Sequence, residues 1–190
     1  GHLMNFLLHL SVAKKIFLIP IIGTASFLIF VVINSYISAQ NSEQLATAKN
    51  VDFPALQLSS TALVNMEKVR DTLAGAVTTG DTDALQQASE TAQKTRQSLQ
   101  QIEQIDPELA GEVNSMLSEF NAYFKVAYRI TASMLDGSAD FSTLNAQLEK
   151  MNQGYEKVTA HLNQFKQDRA QAFDTAFSDY NDAQSFLLTL

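Results

Sequence analysis

The 190-residue chain contains no cysteine and no tryptophan, and only three prolines and seven glycines. The missing cysteines exclude a disulfide scaffold, a thiolate zinc site, an iron–sulfur cluster and a cysteine nucleophile. Of the three histidines, His2 sits in the Gly1-His2-Leu3 lead ahead of Met4, which reads as a cloning remnant outside the fold. His9 and His161 are too few for a histidine-based metal cluster, and no cofactor is expected. Basic residues are outnumbered, with 13 Lys and Arg against 20 Asp and Glu and a net charge of −7. No basic stripe is available to displace counterions from phosphates, so nucleic acid is excluded as a partner.

Acidic residues are missing from the N-terminal part, the first being Glu43. The run from Ile16 to Ile33 carries no charge of either sign, and about 18 such residues span roughly 27 Å of hydrocarbon as a helix. Lys14 and Lys15 precede it and no basic residue follows until Lys49, which places the N-terminus in the cytoplasm and exports the rest. The near-zero mean hydropathy of the chain is therefore a cancellation. Leaving out Lys14 and Lys15, 11 basic and 20 acidic residues remain, a net charge of −9. A cleaved signal peptide ending near Ile37-Ser38-Ala39 is the alternative, but the apolar core of such a peptide is only about 7–15 residues long.

Beyond the apolar run, three turn signals punctuate four helical stretches. Thr79-Gly80-Asp81 ends the first, with Asp81 or Thr82 able to start the second. Asp106-Pro107 pairs an N-cap residue with a first-turn proline. Asp136-Gly137-Ser138-Ala139-Asp140 is the third break, with Asp140 or Ser142 available as the last cap. Apolar residues recur at helical spacing in every stretch, as in Leu56, Leu63, Met66, Leu73 and Val77 of the first. In the last stretch the stripe breaks at Arg169 and resumes as Phe173, Phe177 and Tyr180, displaced by a stutter.

The expected fold is all-α, an antiparallel up-and-down four-helix bundle with long first and last helices, the first continuing from a transmembrane helix. The expected division is a cloning remnant (1–3), a cytoplasmic start (4–15), a transmembrane helix (16–36), an extracytoplasmic four-helix-bundle domain (37–185) and the start of a truncated second span (186–190).

This arrangement resembles a bacterial chemoreceptor, or methyl-accepting chemotaxis protein. More locally, Met66-Glu67-Lys68-Val69-Arg70-Asp71-Thr72-Leu73, followed by Ala76-Val77-Thr78-Thr79-Gly80-Asp81, looks like the first sensor helix and turn of many chemoreceptors. Similar segments precede diguanylate cyclases and histidine kinases, so the output module is the open alternative. The resemblance implies a homodimeric periplasmic sensor in the bacterial inner membrane, without catalysis or a metal site. Its partner would be a small-molecule ligand or a periplasmic binding protein, and its last helix would pass the signal to a cytoplasmic module. Rivals from other classes are a di-iron bundle, which needs Glu-x-x-His pairs that this chain lacks, and a purely structural bundle.

The resemblance also implies arginines gripping a ligand carboxylate in the membrane-distal half, and the candidate is Arg70. It falls on the stripe of Leu63 and Val77; the other reading rotates the helix so that Val69 is buried and Arg70 reaches water or a carboxylate. Tyr123, Lys125, Tyr128 and Arg129 form a second cluster, whose charges and hydroxyls suit an anion or polar metabolite, or simply a solvated face. His161 has no metal-ligand spacing around it and reads as structural or exposed.

Overall fold

A computed structural model describes residues 12–188. The remnant at 1–3, most of the cytoplasmic start and the side chains of the second apolar run at 186–190 lie outside the described residues. The described chain is helical apart from its turns: α1 (Val12–Thr47), a π-helical segment (Ala48–Asp52), α2 (Phe53–Thr79), α3 (Asp83–Ile105), a 3-10 turn (Pro107–Leu109), α4 (Ala110–Leu135) and α5 (Leu144–Leu188). Two compact units result. One holds residues up to Gln44 and those from Asp179 on; the other runs from Leu45 to Ser178.

In the first unit α1 carries the uncharged run, and the described apolar side chains of that run from Phe27 on are exposed. Phe27, Val32 and Tyr36 are 64, 67 and 71 % exposed, an arrangement that costs hydrophobic free energy in water and none in lipid. Among the described residues, one helix is long and apolar enough to cross a membrane.

The second unit is built on the expected turns. Gly80 takes φ 73° and closes α2, its N–H donating to the Ala76 carbonyl at 2.8 Å; only glycine enters this left-handed region without strain. Asp81 then accepts from the Asp83 amide at 2.9 Å to start α3. Asp106 is extended and accepts from the Glu108 amide at 2.9 Å, with Pro107 opening the 3-10 turn. In the third loop Gly137 has φ 75°. Asp140 organises that loop instead of capping α5 amides: its Oδ1 accepts from the Ser142 amide and hydroxyl at 3.0 and 2.6 Å.

The core takes side chains from all four helices of this unit. On α2 the buried positions are Ala55, Ser59, Ala62, Met66, Val69, Leu73 and Ala76, alternating steps of four and three as a seam between helices requires. Of the five expected stripe residues, Met66 and Leu73 lie in this seam and the other three stand one position off it. Leu56, Leu63 and Val77 are only half-buried and flank the seam, because alanine and serine form its centre and hydropathy does not mark them.

Counting outward from the Gly80–Asp81 turn, the buried residues of α2 and α3 stand at matching heights: Leu73 with Ala88, Val69 with Ala92, Met66 with Thr95, Ala62 with Leu99, Ser59 with Ile102. Each pair sets a large side chain beside a small one. Pairing large with small side chains is how facing helices fill a core at native density.

The last helix differs from its expectation at the stutter. The seam runs on through Val158, Leu162 and Phe165 to the half-buried Arg169 and the buried Ala176, while Phe177 is 49 % exposed. Arg169 occupies a seam position because Asp52, 6 % exposed on the facing seam, accepts from its Nη1 at 3.1 Å. Phe53, Phe173 and Phe177 stack beside this pair, with centroids 5.7 and 6.2 Å apart.

Candidate functional site

The four arginines of the chain sort the possible sites. Arg70 lies at the helix surface, its side chain 45 % exposed, because Val69 takes the seam. Its Nε and Nη2 donate to Asp71 Oδ1 at 3.1 and 3.0 Å, and Nη1 donates to the Tyr155 hydroxyl at 3.2 Å. The guanidinium also stands 4.9 Å from the centre of the Tyr155 ring. The hydrogen bond to Asp71 raises its pKa above the ordinary guanidinium range. Arg70 is thus a cation already neutralised by a neighbour on its own helix.

Tyr155 links Arg70 to Tyr123. The two tyrosine rings meet edge to face with centroids 5.3 Å apart, and Tyr123 is buried. Burial, followed by the neighbouring Tyr155, holds the Tyr123 phenol well above its ordinary range. A neutral, enclosed phenol packed on Gly154 serves the core and does not present its hydroxyl to a ligand.

Arg96 donates from Nε to Asn121 Oδ1 at 2.7 Å and lies over the Phe120 and Phe124 rings; burial lowers its pKa. Arg169 is held by Asp52 over the Phe165 ring, and its Nε is buried without a partner. Arg129 alone, among the described residues, has neither a side-chain partner nor an aromatic ring beneath it.

Arg129 lines a groove of about 520 Å³ between the end of α4 and the start of α5, floored by the loop between them. Lys150 stands in the same lining, with Ser133, Asp140, Thr143, Leu144 and Gln147. The one carboxylate there is occupied. Asp140 spends Oδ1 on Ser142 and Oδ2 on the Thr143 hydroxyl at 3.2 Å, and the Ser142 hydroxyl, then its amide, holds the carboxyl below the usual range. Just outside the lining, hydrogen bonds from Ser138 do the same for Asp136.

The sequence candidates therefore separate into two places. Arg70 and Tyr123 meet through Tyr155; Arg129 belongs to the α4–α5 groove; Lys125 is exposed outside it, and Tyr128 packs on Phe124 at 5.7 Å. Lys150 and Gln147 were missed, although they stand about as far after Ala139 as Ser133 and Arg129 stand before it. His161, read as structural or exposed, pairs at 2.9 Å with Glu119 of α4, which also faces Lys157 at 3.5 Å. Among the described residues no group of acidic or histidine side chains is placed to hold a metal.

No family model matches the sequence, and no curated protein or solved structure matches the chain significantly.

Proposed function

We propose that the chain is the membrane-anchored sensor portion of a chemoreceptor-like protein, with an antiparallel up-and-down four-helix bundle exported to the periplasm and its first helix, α2, continuing from α1 as a span of the inner membrane. The observation that carries the reading is the outward-facing apolar run of α1 in a chain whose other unit buries a core of its own. Such a run is stable in lipid and a liability in water. The antiparallel arrangement is supported by contacts that run in opposite order along α5 and the stretch of the π-helical segment and α2, with Asp52 on Arg169 and Arg70 on Tyr155. Along α4 and α5 the same reversal relates Glu119 with His161 to Tyr123 with Tyr155.

In this reading two copies associate, a small molecule or a binding protein selects between two packings of the bundle, and α5 transmits the difference toward the membrane. A continuous helix is stiff enough to carry such a shift, and the differential binding free energy sets its direction.

The absence of cysteine makes topology directly measurable. Thr78→Cys places the only thiol at the exposed end of α2. In spheroplasts it should react with a membrane-impermeant maleimide without lysis, and the protein should sediment with membranes. Labelling only after lysis would reverse the orientation, and recovery in the soluble fraction would remove the anchor. Fusion to a chemoreceptor signalling module, followed by a metabolite screen, tests the output.

A further inference from the structure

The geometry points to the α4–α5 groove as a binding site for a small hydroxylated monocarboxylate, an assignment that names the ligand class for the sensor proposed above and rests on that reading for its physiological role alone. Three of the four arginines are held by Asp71, Asn121 and Asp52 and lie over aromatic rings. Arg129 has neither restraint, and it lines a groove. Its planar fork of donors matches a carboxylate in a bidentate fashion.

Lys150 adds a second cation from α5, and no ion pair engages it among the described residues. Against these two charges stands Asp140, whose oxygens are taken by its own loop. The lining thus carries one net positive charge in a chain of net charge −7. One negative charge on the ligand balances it, whereas a dianion would also meet the Asp140 carboxylate.

The remaining walls set the rest of the ligand. Gln147 donates from Nε2 to the Thr143 hydroxyl at 2.8 Å, which leaves its amide oxygen to accept from a ligand hydroxyl. The Ser133 hydroxyl is spent on the Ile130 carbonyl at 2.9 Å, and Leu144 with Ala139 supplies an apolar surface. The volume suits a molecule of metabolite size.

The test uses the full chain in detergent micelles and titration calorimetry with D-gluconate, its uncharged counterpart D-glucitol, and inorganic phosphate. Gluconate should bind, and glucitol and phosphate should not at the same concentration. Arg129→Gln should weaken gluconate binding by about tenfold or more, the loss expected for a charge-assisted bidentate contact. Lys150→Gln should lose less, about threefold, as a point charge near solvent. Lys125→Gln, outside the groove, should change nothing, and circular dichroism should show all three variants equally helical.

No gluconate binding at about 10 mM, the weak limit for a specific small-ligand site, would overturn the assignment. So would phosphate binding as tightly as gluconate, an unchanged Arg129→Gln, or an equal loss in Lys125→Gln, which would mean a general charge effect. Failure of the sensor reading is distinguishable from failure of the site. Gluconate bound through Arg129 that leaves a fused output silent keeps the site and removes the sensor. An output driven by a ligand that Arg129→Gln still binds keeps the sensor and removes the site.

Discussion

Asp52 and Arg169 place opposite charges in a seam otherwise made of alanine, serine and apolar side chains. Burial raises the Asp52 pKa above the ordinary carboxylate range, outweighing the attraction of Arg169 and its hydrogen bond. Desolvation of a buried pair commonly costs as much as the pairing returns. A neutral acceptor should therefore serve Arg169 nearly as well: Asp52→Asn should shift stability by less than about 1 kcal/mol, while Asp52→Ala, leaving Nη1 as well as Nε without a partner, should cost about 2 kcal/mol. The sign of the pH effect follows from the raised pKa. The native protein binds this proton more tightly than the unfolded chain, so the contribution is complete below the ordinary carboxylate value of about 4 and is lost as pH rises through the raised one. Urea midpoints should show the wild type losing ground to Asp52→Asn as pH increases across that window; the opposite slope would mean that pairing outweighs burial.

At the same scale the sequence left two readings of Arg70 open, and the one that buries Val69 and turns Arg70 outward is found. Its spacing put it on an apolar stripe, but Val69 and the small residues Ala62 and Ala76 claimed the seam, and a half-exposed arginine beside Asp71 was the result. Arg129 was found from its own helix. Its partner Lys150 lies on another helix, and only the geometry of the intervening loop brings it into the same groove.

Among the elements, helix ends were legible and helix faces only partly so. Gly80, Asp106 and Gly137 act through local backbone chemistry, which neighbouring residues in the sequence determine. The face of α2 depends on which side chains the other helices bring, and so does the seam of α5, where Ala176 is buried and the larger Phe177 is not. Two glycines make opposite forecasts. Gly80→Ala should destabilise by about 1 kcal/mol, because its positive φ strains any Cβ. Gly154→Ala should stabilise by about 0.5–1 kcal/mol through helix propensity, since its Cβ would meet Tyr123 Cβ at an ordinary 3.5 Å. Thermal melts of the two variants, displaced in opposite directions, check the pair.

For the whole molecule, the all-helical class was legible because four strongly periodic stretches and three turns leave few ways to bury a common core. What the sequence carried less visibly was register. Leu73, Val69 and Met66 of α2 stand level with the smaller Ala88, Ala92 and Thr95 of α3, and farther from the turn the sizes exchange, Ala62 with Leu99 and Ser59 with Ile102, so a hairpin slipped by one turn would set Met66 on Leu99 or Ala62 on Thr95. Leu99→Ala alone should cost about 3 kcal/mol as a cavity, and Ala62→Leu alone about 1–3 kcal/mol as overpacking. Combined, the two should recover at least about 1 kcal/mol relative to their sum, the coupling expected of neighbours in one core. A double-mutant cycle by urea unfolding measures it, and strict additivity would separate the two residues.

The π-helical segment at Ala48–Asp52 bears on how the chain tolerates changes in length. A π turn holds one residue more than the α turn it replaces, so this is the place where the first long helix carries its spare residue. Removing one residue from this segment would return it to α winding, whereas removing one inside α2 would turn every later side chain by about 100° off the seam.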